Sequence, residues 1–264
     1  MRIKQRLVNT MLYDFIPFLG WVNVRKNKFC NVIYFHDIVE GEGYSLMKMP
    51  IDKFKRMMNY IVDNGYKTLR FDDLDKEENM KFNRKSIIIG FDDGWLSNYT
   101  EIFDFMKSKN IKYNIYLTVG EIGNNPEYLN WEQVREMHAS GIVGFGAHTY
   151  THPDMSDLTK INWDVEIEKA NAVFNEQLGY EPLDFCYPFG YYSEQSNLEL
   201  EKRTNYKRLY TSDNMYSYEQ NGVIIMGRNG IGDQYPFKYF KRQLKGFLNI
   251  SKSYWRVYSI IRGK

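Results

Sequence analysis

Cysteine and histidine are scarce in this chain of 264 residues, which holds two of the first and four of the second. Cys30 and Cys186 cannot build a disulfide framework, and so few thiols fit a reducing compartment. Proline, at seven residues, is too thin for a collagen-like or proline-rich segment, and there is no internal repeat. No apolar run approaches the roughly eighteen residues that a membrane-spanning helix needs. The basic start MRIKQR leads into an apolar stretch that Asp14 and Pro17 interrupt, and no Ala-x-Ala-like cleavage site follows. It therefore does not read as a signal peptide. These absences lead us to expect an uncleaved cytoplasmic protein, soluble or peripheral on the inner membrane face.

The composition itself is globular. Apolar residues make up 43% and charged residues 26%, enough to bury a core without help from a metal or a disulfide. Tyrosine (22) outnumbers phenylalanine (17), so many rings must set a hydroxyl beside a partner. The net charge of +2 hides an uneven distribution: residues 1–31 carry +5, residues 234–264 carry +8, and the middle is left at −11. A nucleic-acid binder spreads its cations through the binding domain, so no nucleic-acid partner is expected. Cations interleaved with rings at both ends instead suit peripheral contact with an anionic membrane surface. Phe240, Leu244, Phe247, Tyr254, Tyr258 and Ile261 fall at helical spacing, so 234–264 reads as a basic amphipathic helix. It either packs on the domain or docks on lipid.

From about residue 30, short apolar runs alternate with segments of 3.6-residue period, the pattern of βα units around a parallel sheet. Strands are expected at Asn31–Phe35, Ser86–Phe91, Tyr113–Val119, Val143–Ala147, Leu183–Tyr187, near Leu209 and at Val223–Met226. Helices are expected over 51–64, 97–108, 131–140, 162–178 and 194–204, with Gly65, Gly141 and Gly179 as stops. About seven such units without a linker give a single α/β domain over 30–233, flanked by basic extensions at 1–29 and 234–264. Whether the sheet is open or a barrel, chemistry gathers at the carboxyl ends of its strands.

Strand Ser86–Phe91 runs directly into Asp92-Asp93-Gly94. Adjacent carboxylates repel unless something positive sits beside them, and neighbouring side chains leaving a strand point apart. One can then ligate a metal while the other holds or removes a proton; a plain Asp-Gly turn is the alternative. Strand Val143–Ala147 ends in HTYTHP, residues 148–153. His148 and His152, four apart at a strand end, suit ligation of a divalent metal ion. Thr149 stands where an HExxH helix would need glutamate, and Pro153 disfavours such a helix. Tyr187-Pro188-Phe189-Gly190 marks a tight turn whose N–H groups can face the same mouth, while Cys186 reads as a core residue. His36 follows the first strand and is placed either to donate a proton or to serve structure. His138 has no strand end beside it and takes no role.

Together, FDDG, HTYTHP and YPFG in this order and spacing resemble the NodB-type polysaccharide deacetylases, carbohydrate esterase family four. The likeness covers roughly residues 30–230, and YFH with YPFG brings it nearest the poly-N-acetylglucosamine deacetylase branch. The resemblance implies a distorted (β/α) barrel that removes acetyl groups from N-acetylated sugars of a poly- or oligosaccharide, with a lipid-linked one suiting membrane contact. It implies Asp93, His148 and His152 as ligands of a divalent metal ion, zinc foremost. Asp92 would be the general base, His36 the general acid, and the Phe189 N–H an oxyanion donor. Many members have an arginine where this chain has Cys186, and a late histidine where this chain has none after His152. Arg228, just after VIIM, is the expected replacement for that arginine, and Trp95, Tyr191 and Tyr192 are candidate rings for stacking on sugars. The resemblance also leaves room for related chemistry on O-acetyl esters or small cyclic amides, and for a catalytically silent carbohydrate-binding protein.

Overall fold

The computed structural model describes residues 28–44 and 46–246. The basic start, 1–27, and the tail from 247 onward, with most of the expected C-terminal helix, lie outside the described residues.

The described residues run through twelve strands: β1 (Asn31–Phe35), β2 (Asp37–Val39), β3 (Lys48–Pro50), β4 (Lys67–Leu69), β5 (Ser86–Phe91) and β6 (Tyr113–Leu117). β7 (Val143–Ala147), β8 (Asp184–Cys186), β9 (Arg208–Tyr210), β10 (Tyr218–Gln220), β11 (Val223–Met226) and β12 (Asn229–Gly230) follow. Every residue of β1, β5, β6 and β7 is buried, as strands of a parallel sheet covered on both faces must be. The seven strands β11-β9-β8-β7-β6-β5-β1 lie side by side and parallel, while β12 pairs with β1 and β4 with the start of β5. Only Gly227 and Arg228 separate β11, at one end of this row, from β12, at the other. The chain itself therefore bridges the two ends and curls the sheet into a distorted (β/α) barrel, a single mixed α/β domain.

Helices cover the outside. The segment Ile51–Asp63 buries Phe54, Met57, Met58 and Ile61 at helical spacing against the sheet, and each such side chain contributes roughly 1.5–3 kcal/mol. Inside the barrel, Phe71, Tyr116 and Tyr210 pack in a second cluster with Cys30 and Cys186. Gly146 makes room for them: a Cβ there would lie 2.8 Å from the Asp184 carbonyl oxygen and 3.0 Å from the Phe71 ring. Asn114 fastens this filling, accepting from the Phe71 N–H at 2.8 Å and donating to the Leu69 carbonyl at 2.9 Å. Beside it Arg208 and Asp184 form a buried two-point pair at 2.6 and 2.8 Å, and the Tyr210 hydroxyl adds a bond of 2.9 Å.

Several elements differ from expectation. The helix expected over 97–108 breaks into Ser97–Thr100 and Phe103–Ser108. Its first turn is tied to the segment after β1: Ser97 Oγ accepts from the Ile38 N–H and donates to Asp37, and Asn98 donates to the His36 carbonyl. The second part must instead aim Phe103 and Met106 at the core, and one straight helix cannot do both. The helix expected over 162–178 begins as a π-helical segment, Asp164–Lys169, before the α-helix Ala170–Leu178. The described start of the C-terminal helix, Phe237–Leu244, packs on the barrel, where the Gln243 side chain donates to the Gly230 carbonyl at 2.9 Å.

Removing one partner of a buried pair leaves an uncompensated charge. Asp184→Ala is expected to lower the unfolding free energy by about 3–5 kcal/mol in urea titrations, because Arg208 then stays buried with only the more distant Asp75. An unchanged midpoint would contradict this reading of the barrel interior.

Candidate active site

Three strand ends deliver the site. After β5 the chain turns sharply at Asp93, whose φ of 77° lies in the left-handed region that disfavours a side chain, and continues through Gly94 at 90°. This reversal sends the two neighbouring carboxylates in different directions. After β7, Thr149 (66°) and His152 (64°) are also left-handed, and after β8 so is Phe189 (57°). Six non-glycine residues adopt this conformation among the described residues, and these four belong to the three motifs. Such strain persists only where surrounding contacts enforce it, and it gathers at sites of function.

The geometry brings Asp93, His148 and His152 together. Asp93 Oδ1 lies 3.4 Å from the Nε2 of His148 and 3.4 Å from that of His152. Bonds of about 2.0–2.1 Å to a tetrahedral ion would set neighbouring donors about 3.3–3.4 Å apart, so the spacing fits a divalent cation with an open face. His148 is oriented from behind: its Nδ1 lies 2.7 Å from the Cys186 carbonyl, which can only accept, so Nδ1 carries a proton. Burial would lower its pKa, but Cys186, the hydrogen bond to Asp93 and the Asp92 charge hold it well above the usual imidazole range, so Nε2 carries a proton that a bound cation would displace. Burial, with His148 beside it, pushes the His152 pKa down to about 4, so this imidazole is neutral at pH 7. Burial would raise the Asp93 pKa, but the hydrogen bond and charge of His148, with the other histidines, outweigh it and hold the carboxyl well below its usual range.

Asp92 is 4% exposed and held by Arg228, whose Nη1 and Nη2 donate to Oδ1 and Oδ2 at 2.6 and 2.9 Å. Burial raises its pKa, and the Arg228 charge and hydrogen bonds more than reverse that, so it is ionised. Arg228 is itself fully buried, donates its Nε to the Thr211 carbonyl, and lies over the Tyr34 ring at 4.0 Å. Asp92, His148 and the Cys186 thiol also approach one another closely enough to suggest a second ligand set. The guanidinium already takes one lone pair of each Asp92 oxygen, however, and His148 Nδ1 is engaged by a carbonyl, which favours the Asp93 side for a cation. Burial raises the Cys186 pKa, which leaves a thiol in keeping with its expected core role. His36 sets Nδ1 3.1 Å from the Leu46 carbonyl and Nε2 3.8 Å from Asp92 Oδ2. In the YPFG turn the loop bonds come from the Gly190 and Tyr191 N–H groups, and the Phe189 ring meets His152 edge-on at 4.5 Å.

The rings expected at sugars divide. Trp95 is stacked on Tyr128 at 4.6 Å and donates its indole N–H to Asp93 Oδ2 at 2.9 Å, so it serves the carboxylate rather than a sugar face. Tyr192, half-buried, is stacked on Tyr187. Tyr191 alone of the three is open, 56% exposed beside Phe189. His138 stacks on Tyr180 away from this group. Nothing in the sequence signals the Trp95–Asp93 bond beyond their separation of two residues.

Partners behind metal ligands typically tune affinity 10- to 100-fold. Trp95→Phe keeps a ring against Tyr128 but removes the donor. It is expected to weaken zinc binding about tenfold in a chelator competition, with little change in thermal stability. Equal affinity for the two proteins would show that the bond plays no part in holding Asp93.

Comparison with known proteins follows from this geometry. Residues 79–209 match the polysaccharide deacetylase family, a stretch that includes both aspartates, both histidines and the YPFG turn. The Bacillus subtilis (strain 168) protein YxkH is 26% identical over 211 residues, covering 79% of this chain and 74% of its own. A poly-β-1,6-N-acetyl-D-glucosamine N-deacetylase of Staphylococcus aureus (strain MRSA252) is 25% identical over 167 residues, covering 61% of this chain. The match spans just over half, 56%, of that staphylococcal protein's length. The crystal structure of a Bacillus cereus polysaccharide deacetylase superposes with a TM-score of 0.71 at 23% identity, covering 83% of this chain and 69% of that one, and so shares the fold. With the motifs at its strand ends, the chain carries a polysaccharide deacetylase domain of the NodB type, carbohydrate esterase family four.

Proposed function

We propose that this chain is a metal-dependent hydrolase that removes acetyl groups from N-acetylated sugars of a poly- or oligosaccharide. The observation that carries the proposal is the convergence of Asp93 Oδ1 with the Nε2 atoms of His148 and His152, beside a separately clamped Asp92. A staphylococcal relative that acts on poly-β-1,6-N-acetyl-D-glucosamine supports the substrate class.

Asp93, His148 and His152 would hold the ion, for which zinc is our choice given two imidazoles and one carboxylate. When bound, the ion would polarise the acetyl carbonyl and make water a ready nucleophile at neutral pH. Asp92, ionised because Arg228 sits against it, takes the proton from the attacking water. The same clamp fixes the direction in which Asp92 presents its lone pairs. The Phe189 N–H, aimed by a left-handed backbone, donates to the oxygen that gains charge, a contribution of about 2.7–4 kcal/mol per such donor. His36, with Nδ1 donating to the Leu46 carbonyl, turns Nε2 into the cleft and, when protonated there, delivers the proton to the departing amine. It takes the place of the late histidine this chain lacks. The open Tyr191 ring beside Phe189 gives a sugar face a partner at the mouth.

Contact with an anionic membrane through the basic ends, in a cytoplasmic setting, is part of the same proposal and rests on charge alone. No helix among the described residues is long and apolar enough to cross a membrane. Absence of co-sedimentation with anionic vesicles at low salt would remove this part and leave the chemistry intact.

Acetate release from N-acetylglucosamine oligomers tests the chemistry. We expect release that a chelator stops, and that falls by about 10²–10⁴-fold in Asp92→Asn and, separately, in His36→Ala. Release confined to O-acetylated sugars would move the substrate class, and no release from any acetylated sugar would favour a silent binder.

A further inference from the structure

We infer that Glu166 is a positioning residue, whose buried carboxylate straps the loop between the two histidines and so sets His152 against Asp93. The inference rests on the metal reading above and adds to it a residue that touches neither metal nor substrate.

Two residues of the loop 148–152 are left-handed, Thr149 and His152, and a β-branched threonine in that conformation is costly. Something must therefore hold the loop in place. On one side its carbonyls are taken by the backbone, the Val119 N–H donating to Thr149 at 3.1 Å and the Gly120 N–H to Tyr150 at 2.9 Å. Within the loop, the His152 N–H donates to Thr149 Oγ1 at 3.0 Å. Three further donors converge on Glu166. Its Oε2 accepts from the backbone N–H groups of Tyr150 (3.1 Å) and Thr151 (2.8 Å), and its Oε1 from the Thr151 hydroxyl at 2.6 Å.

Glu166 is 6% exposed, and among the described residues no arginine or lysine forms an ion pair with it. A buried carboxylate without a counterion needs several donors to offset its lost hydration, and the loop supplies all three. The dependence is mutual: the carboxylate is stabilised by the loop, and the strained loop by the carboxylate. Glu166 also comes from the π-helical segment Asp164–Lys169, a widened turn of the kind frequent at functional sites. An alanine removes all three bonds, whereas a glutamine can keep them, its oxygen taking both backbone N–H groups and its amide donating to the Thr151 hydroxyl.

The test uses the full chain and reads metal binding rather than turnover. Glu166→Ala and wild type are compared by zinc–chelator competition and by the visible spectrum of the cobalt-substituted proteins. Ile61→Val, a packing change in the helix Ile51–Asp63, controls for loss of stability. We expect Glu166→Ala to bind zinc at least about tenfold more weakly and to alter the cobalt spectrum, while Ile61→Val matches wild type in both. A folded Glu166→Ala protein with wild-type affinity and spectrum would overturn the inference. Should that variant fail to fold, Thr151→Val removes one of the three bonds, and unchanged zinc affinity there would overturn it equally. Wild type that binds neither metal would sink the metal reading along with the inference, whereas binding by wild type with no response in the variants sinks the inference alone.

Discussion

Asp92 and Asp93 are neighbours in sequence, both buried at the end of β5, and both ionised. Two carboxylates this close repel strongly out of water, so each needs its own source of positive charge or polarised hydrogen. Arg228 meets the need of Asp92 at two points. Asp93, turned away by its left-handed backbone, is left facing two imidazoles and the Trp95 indole. The division of labour between the two carboxylates follows from this separation.

The barrel closure and the site share a residue. Arg228 lies in the two-residue passage between β11 and β12, where the chain joins the two ends of the sheet. Its guanidinium crosses the barrel mouth to Asp92, lying over Tyr34 at 4.0 Å and near Tyr116 at 5.3 Å. The charge that balances the active site is thus placed by the same turn that closes the fold. Cys186, fully buried, leaves the space inside β8 small and apolar. Its thiol comes 3.9 Å from Asp92, and its carbonyl orients His148.

Much of this was legible in the chain before any coordinates. FDDG, HTYTHP and YPFG each follow an apolar run, and strand ends are where a parallel α/β sheet gathers chemistry. What escaped was tertiary. The Trp95 indole could be read as a sugar-stacking ring because nothing local shows that its N–H meets Asp93. Glu166 looks like any helical glutamate until the loop at 148–152 closes over it. The break at 101–102 arises because Ser97 and Asn98 bond to the segment after β1, some sixty residues away. Apolar periodicity reports which face is buried, and it does not report which polar partner a distant strand will bring.

The most direct measurement is X-ray absorption at the zinc edge of the purified, zinc-loaded chain. Two imidazole nitrogens with oxygen completing the shell, and no sulfur, are the expected result. Sulfur scattering at about 2.3 Å would assign the metal to Cys186 with Asp92 and His148 instead, and fewer than two imidazoles would contradict the grouping of Asp93, His148 and His152.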